Sequence, residues 1–154
     1  MWETEKKFSD YLHRRLNAEG VYVHRLESHG TGNGLPDMFI MGHGKDYFLE
    51  LKNNKKLTVR SVLTSGIKVD WRPGQQAWAW TYKQRHTTPT HDKVTATVVG
   101  LKDGFVIIPM IKMFEGNVVF PSYIYTVGDK VKVFDFLNTL CNIERLPDAK
   151  ETNS

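Results

Sequence analysis

The sequence is poor in cysteine, with Cys141 as the single one among 154 residues. One cysteine excludes an internal disulfide framework and any zinc site built from several thiolates, and it fits a reducing compartment. A long apolar run is also missing from the first residues, MWETEKKFSDYLHRRL, where charged and apolar side chains alternate. We therefore expect neither a signal peptide nor a membrane-spanning segment there, no membrane partner, and a cytoplasmic location.

Internal repeats and low-complexity segments are absent as well. A chain of 154 residues is long enough for one compact domain and too short for two ordinary ones. Its hydrophobic fraction of 40% and charged fraction of 25% are typical of a globular protein with a buried core. We expect a single domain over residues 1–146 and a flexible C-terminal tail over residues 147–154.

Apolar residues at helical spacing mark the first element, ETEKKFSDYLHRRLNAEG. Phe8, Leu12 and Leu16 fall on one stripe of this helix, and Gly20 is a natural end for it. A second helix is predicted for PGQQAWAWTYKQRH, with Pro73 near its start. A third helix is predicted for DKVKVFDFLNTLCNI, close to the C-terminus.

Strands are predicted for VYVHRLE, DMFIM, DYFLELK, KVTATVVGL and GFVIIP, and a further one for NVVFPSYIY, broken at Pro121. The turn GHGK joins DMFIM to DYFLELK as a β-hairpin. Residues 53–74 show no clear period and are expected to form a basic loop with some local structure. The order of elements predicts the α/β (α+β) class, with a mixed central β-sheet flanked by helices and an αβββαβ core.

Three charged residues stand on the predicted hairpin, within GLPDMFIMGHGKDYFLELK. Because side chains alternate across a strand, Glu50 and Lys52 share a face with Phe48. Asp37 likewise shares a face with Phe39. Antiparallel pairing then brings Asp37 and the Glu50–Lys52 pair to the same end of the hairpin, where charges beside apolar strands are costly unless something pairs with them.

A metal ion is the partner that these residue types favour. Two neighbouring carboxylates repel each other unless a cation lies between them, and oxygen ligands without clustered cysteine or histidine favour Mg²⁺, or Mn²⁺, over zinc. The ammonium group of Lys52 would hold an attacking water or neutralise charge on a phosphate. The alternative interpretation is a surface salt bridge, because an acid and a lysine two residues apart on a strand are common.

The same residues resemble the motif of the PD-(D/E)XK nuclease superfamily, Pro36-Asp37 followed by Glu50-Leu51-Lys52. The closer likeness is to the branch that holds the VRR-NUC nucleases, the archaeal-type Holliday junction resolvases and many small phage proteins. That branch often shows a GxPD strand, a short hairpin, an ExK strand and a QxxW-like helix, which here are GLPD, LELK and RPGQQAW. The resemblance covers about residues 1–85. It implies a restriction-endonuclease-like fold, a single nuclease domain and, for a phage protein, the host cytoplasm.

The resemblance also implies roles for the hairpin residues. Asp37 and Glu50 would bind the metal ion together with the backbone carbonyl of Leu51. Lys52 would orient and activate the attacking water. The products would carry 5′-phosphate and 3′-hydroxyl ends.

Two residues outside the hairpin are assigned to the site on the same ground. Glu5 continues the inward stripe of the first helix and would be a further metal ligand, with a solvated acid at the helix start as the alternative. Gln75 stands three residues before Trp78, as is usual in the family, and would point at Lys52 or at the water. An ordinary glutamine at a helix start is the alternative.

Basic residues are dense after the hairpin. Between Lys45 and Arg85, nine lysines and arginines stand against three acids, and no acid lies between Lys52 and Asp70. We expect this stretch to follow a DNA backbone and to contact phosphates, although a solvated face is the alternative. The residues assigned to this surface are Lys55, Lys56, Arg60, Lys68 and Arg72.

These observations predict a magnesium-dependent DNA endonuclease, structure-selective and similar to a Holliday junction resolvase, with duplex or branched DNA as its partner. A homodimer that makes paired nicks is expected because so small a chain binds a long duplex poorly alone. Two alternatives stay open: a small homing or restriction-type site-specific endonuclease, and a non-catalytic nucleic-acid-binding module.

Overall fold

A computed structural model of the chain describes residues 2–18, 20–26, 35–42, 45–85, 93–116 and 118–126. The predicted C-terminal helix, the domain boundary at residue 146 and the tail lie outside these ranges.

Within the described residues, six strands form one sheet in the order in which they occur in the chain. They are β1 (Tyr22–Arg25), β2 (Met38–Gly42), β3 (Lys45–Asn54), β4 (Lys93–Leu101), β5 (Gly104–Pro109) and β6 (Tyr123–Thr126). β3 and β4 run parallel, and the other neighbouring pairs are antiparallel. The helices are α1 (Glu5–Ala18), α2 (Val59–Ser65) and α3 (Pro73–Arg85), and a short 3₁₀ helix spans Met110–Phe114. None of these described helices combines the length and apolar character that a membrane crossing needs.

Because side chains alternate in direction along each strand, each face of the sheet carries an apolar layer. On one face, α1 buries its stripe of Phe8, Leu12 and Leu16 against Leu49 and Leu51 of β3. α2 and α3 cover the opposite face, where they pack on the alternate residues of the same strands. The predicted mixed sheet flanked by helices is therefore confirmed.

The close approach of α1 to the sheet requires a glycine at position 100. A Cβ atom on Gly100 would lie 2.9 Å from Cγ of Phe8 and 2.6 Å from Oδ1 of Asn53. Asn53 in turn donates from Nδ2 to the carbonyl oxygen of Trp2 at 2.9 Å. These contacts fix the first turn of α1 beside the end of β3.

The predicted loop at residues 53–74 is wrong in part, because this stretch holds the end of β3 and all of α2. Thr58 Oγ1 accepts a hydrogen bond from the Ser61 amide at 3.2 Å, and Ser61 Oγ accepts one from the Thr58 amide at 3.1 Å. This capping box starts the helix, and Oδ1 of Asp103 accepts from the Val59 amide at 2.8 Å. The basic stretch is thus anchored by a helix rather than free at its tip.

Candidate active site

Asp37 stands immediately before β2, at the open end of the hairpin. The last paired residues of β2 and β3 at this end are Met38 and Leu49. Two residues further along β3, the amide of Leu51 lies beyond this pairing and donates to Oδ2 of Asp37 at 2.8 Å. The Asp37 backbone carbonyl accepts from the Leu26 amide at 2.9 Å, so backbone and side chain of Asp37 are both held.

The carbonyl of Leu51 faces the same side of β3 as its amide. In a strand, the N–H and C=O groups of one residue point in the same direction, as the paired exchange of hydrogen bonds in antiparallel sheets shows. Because the Leu51 amide reaches Asp37, its carbonyl oxygen lies on the Asp37 side as well. The backbone acceptor that the resemblance assigns to the metal site therefore lies on the edge of β3 that faces Asp37.

Glu50 and Lys52 project together from the face of β3 that α3 covers. Nζ of Lys52 lies 3.7 Å from Oε1 of Glu50, and their side chains are only 17% and 8% exposed. The structure thus brings together the acid and lysine that the sequence predicts on one face. Their burial excludes the alternative of an ordinary solvent-exposed salt bridge.

Gln75 ties these two side chains to the start of α3. Its Oε1 accepts from Lys52 Nζ at 3.1 Å and from the Arg72 amide at 2.9 Å. Its Nε2 donates to Oε1 of Glu50. The predicted direction of Gln75 toward Lys52 agrees with this geometry, whereas the side chain of Arg72 is exposed beside it.

Burial makes Glu50 a weak acid in this protein. Desolvation, followed by the negative charge of Asp37, raises the pKa of Glu50 to about 9, although the charge of Lys52 acts in the opposite direction. Glu5 lies at the solvent-exposed rim, where desolvation and then the charge of Asp37 raise its pKa as well, against Lys52 and Arg72. The three carboxyl groups therefore share one electrostatic environment.

The donor set fits a hard cation. Glu50 is neutral at pH 7 only because of burial and the neighbouring Asp37, so a cation would stabilise its charged form. Mg²⁺ commonly uses one or two carboxylates plus water. In the part of the chain that the structure describes, no three His, Cys, Asp or Glu side chains are grouped as metal ligands. Asp37, Glu50 and the Leu51 carbonyl thus form the candidate set, and the metal role of Glu5 stays a prediction.

The basic residues predicted to contact DNA differ in their surroundings. Nζ of Lys55 lies 3.0 Å from Oε2 of Glu3, so this lysine has an acidic neighbour that is distant from it in the sequence. Arg60 is exposed on α2. Within the described ranges, the exposed side chains of Lys56, Lys68 and Arg72 make no ion pair.

A polar neighbour of Glu50 was not predicted from the sequence. Thr97 of β4 is directly opposite Glu50 in the parallel register and is 1% exposed. Its Oγ1 accepts from Nε1 of Trp71 at 3.0 Å. The one available signal is a threonine inside the apolar strand KVTATVVGL, and it does not reveal which strand lies beside it.

Comparison with known proteins informs the fold. No protein-family model and no curated protein matches the sequence. The structure is similar to that of the Holliday junction resolvase of the archaeal hyperthermophile Archaeoglobus fulgidus, with a TM-score of 0.51 over 79% of this chain and 87% of the resolvase. The two sequences are 13% identical over this match, so the likeness shows a shared fold. The predicted nuclease-like architecture is confirmed at this level.

Proposed function

We propose that this protein is a magnesium-dependent DNA endonuclease with the substrate preference of a Holliday junction resolvase. The observation that carries the proposal is the cluster of buried Glu50 with partly buried Asp37 and Lys52 at the open end of the hairpin. The fold shared with an archaeal junction resolvase supports the same conclusion. A structural salt bridge would need neither the second carboxylate nor the glutamine that holds the lysine.

Asp37, Glu50 and the Leu51 carbonyl would hold Mg²⁺, or Mn²⁺ in its place. When bound, such an ion polarises a phosphoryl oxygen and acidifies a bound water. Glu50 must release its proton before it serves as a charged ligand, because its pKa is about 9. Glu5, at the rim, would hold a second ion or an ordered water.

Lys52 would stabilise the reacting phosphate or hold the attacking water. Its ammonium group has three protons, of which one is directed to Oε1 of Gln75. The other protons can point along the face of β3 from which Glu50 also projects. Gln75 acts as a positioning residue, because its two acceptor contacts fix the lysine relative to α3.

The test is cleavage of a four-way junction, a matched duplex and a single strand in parallel, with Mg²⁺, with Ca²⁺ and with EDTA. We expect cleavage of the junction in Mg²⁺, by a dimer, and binding without cleavage in Ca²⁺. Uniform cutting at one sequence in the plain duplex would favour the site-specific endonuclease instead. Binding of all three DNAs without any cleavage would favour the non-catalytic module.

The Asp37→Asn variant is the sharpest control of this assignment. The amide oxygen still accepts from the Leu51 amide, so the fold should persist, with the metal-free stability equal to or above that of the wild type. Loss of a charged ligand removes several kcal/mol of charge stabilisation, or about a thousand-fold in rate. Glu115→Gln, at an exposed acid after the 3₁₀ helix, is the matched control and should cleave normally. Mg²⁺-dependent cleavage at the wild-type rate by Asp37→Asn would refute the assignment.

A further inference from the structure

A polar cleft of about 270 Å³ opens beside Lys52. The first turn of α1, with Glu5, and the end of β3, with Asn54, border it on one side. The segment between α2 and α3 borders it on the other side with Lys68, Asp70 and Arg72. The cleft is thus continuous with the candidate active site, with which it shares Glu5 and Lys52, but its lining does not include Asp37, Glu50 or Leu51.

The walls of this cleft are fixed in place. The segment after α2 begins at Gly66, which has a φ of 75° and donates from its amide to the Val62 carbonyl at 2.8 Å. Ile67 then exchanges two backbone hydrogen bonds with Val119, at 2.8 and 3.0 Å. At the far end, the Trp71 ring donates to Thr97. A segment held at three points forms a preorganised binding site rather than a collapsing surface loop.

The charges along the cleft suit one nucleotide. Lys68 and Arg72 line the cleft and make no ion pair within the described residues, so phosphate oxygens have two cationic partners there, beside Lys52 of the candidate active site. Asp70 adds a carboxylate, which accepts hydrogen bonds from the amino groups of bases. A site for phosphate alone would have no use for this carboxylate.

The volume excludes a base-paired duplex from the cleft. A cleft of about 270 Å³ lies just below the size of about 300 Å³ at which pockets for small organic ligands begin, so it holds one nucleotide unit at most. A nucleotide enters such a space only after it leaves the stack. The energetic cost of leaving is least for a base that is already unpaired or poorly stacked.

We propose that this cleft receives a single nucleotide of the cleaved strand, displaced from the helical stack beside the scissile phosphate. This inference rests on the proposed nuclease function. It assigns substrate choice to the cleft between α1 and residues 67–72. The enzyme then selects DNA with an unpaired or weakly stacked nucleotide at the cutting position, such as a junction centre or a bulge.

The test uses 2-aminopurine placed at each position next to the mapped cleavage site, with the protein bound in Ca²⁺ so that no cutting occurs. The lining of the cleft has no aromatic ring that would quench the probe. We expect a severalfold rise in fluorescence on binding of the wild-type protein. No rise at any flanking position would overturn the inference, and cleavage in Mg²⁺ by the same preparation would leave the nuclease function intact.

A cleft-narrowing variant decides where the base goes. Asn54→Leu/Asp70→Leu places larger apolar side chains on both walls, while Glu115→Leu provides the same change at a remote exposed acid. We expect the double variant to lose the fluorescence rise and to reduce the preference for bulged over matched duplex at least about tenfold. Glu115→Leu should retain both. An undiminished rise in the double variant, with an unchanged melting temperature, would place the displaced base elsewhere and refute the proposal.

Discussion

The two faces of β3 show how one strand serves both the core and the site. Tyr47, Leu49 and Leu51 point toward α1 and are at most 1% exposed. On the other face, Phe48 packs against Trp78 of α3, with ring centroids 5.4 Å apart. The two residues that follow Phe48 on this face, Glu50 and Lys52, are ionisable. One face is therefore apolar throughout, and the other changes from apolar to ionisable within two residues.

The change occurs where the neighbouring strand ends. β2 pairs with β3 up to Leu49, and beyond this point Asp37 takes the place of a strand partner by accepting from the Leu51 amide. On the same stretch, α3 begins and contributes Gln75. Charged side chains are tolerated here because every one has a fixed polar partner and Lys52 still reaches solvent. One face of β3 therefore belongs to the core, and the opposite face holds the residues of the proposed active site.

Lys52→Met should lower turnover by two to three orders of magnitude. The substitution keeps the length of the side chain and removes the positive charge, which in the proposed mechanism stabilises charge in the transition state. We expect kcat to fall about 100- to 1000-fold, as when one such donor is removed from other enzymes. DNA affinity in Ca²⁺ should change little. Lys6→Met, at an exposed lysine of α1 paired with Asp10, is the matched control and should keep the wild-type kcat. Equal losses of affinity and rate would make Lys52 a phosphate anchor only.

Leu49→Ala should lower the stability and leave turnover nearly unchanged, because it alters only the core face of β3. Truncation of a fully buried leucine leaves a cavity and lowers the free energy of unfolding by about 2–5 kcal/mol. Urea unfolding measures this loss. The kcat of the folded protein should stay within a factor of two or three, in contrast to Lys52→Met. Val118→Ala, at an exposed site, should cost less than about 0.5 kcal/mol. A collapse of kcat in fully folded Leu49→Ala would show that the two faces are coupled.

The sequence predicts the arrangement of the hairpin residues because its information is local. Strand alternation relates Glu50 to Lys52, and the antiparallel register of β2 with β3 brings Asp37 to the same end of the hairpin. Contacts between distant segments are not encoded in this way. The pairing of Lys55 with Glu3 and the position of Thr97 beside Glu50 depend on how α1 and β4 return to β3. The helix α2 was not predicted because it spans 7 residues and its apolar face is short.

Glu50→Gln should remove a pH dependence of stability. The pKa of Glu50 lies at about 9 in the folded protein against its ordinary value of 4.5, so the folded state retains a proton that the unfolded state loses between these values. The metal-free wild type should therefore be most stable below about pH 4.5, as far as this group is concerned, and should lose stability as the pH rises toward 9. Glutamine resembles the protonated acid and cannot lose a proton.

Urea unfolding in EDTA at pH 6, 7.5 and 9 measures this difference. We expect the stability of Glu50→Gln to fall less steeply with pH than that of the wild type. Glu115→Gln is exposed and should follow the wild-type slope. Added Mg²⁺ should flatten the slope of the wild type, because a cation favours charged Glu50. Parallel slopes for Glu50→Gln and the wild type would mean that Glu50 titrates normally.

The smallest effect concerns the exposed basic residues that follow Lys52. Removal of one cation that binds a phosphate should flatten the slope of log K against log salt by about 0.9 on duplex DNA. Lys56 makes no ion pair within the described residues, so Lys56→Ala should show this full change. Lys55 must leave Glu3 to meet a phosphate, and Lys55→Ala should therefore show less. The double variant should flatten the slope by about 0.9 to 1.8 and weaken binding to every DNA shape similarly.

Glu3→Gln tests whether the ion pair with Glu3 limits the contribution of Lys55 to DNA binding. The side chains of Glu3 and Lys55 are both more than half exposed, and pairs of this kind contribute little to stability, so the loss of this pair should leave the fold intact. Without its acidic neighbour, Lys55 should strengthen DNA binding and steepen the slope of log K against log salt. Lys55→Ala in the Glu3→Gln background should then flatten this slope by the full amount of about 0.9. Lys6→Ala, at a lysine on α1 outside the predicted DNA surface, should change neither quantity. If a double variant at Lys55 and Lys56 had the wild-type salt slope, neither lysine would contact a phosphate. The DNA-binding surface would then lie away from the end of β3.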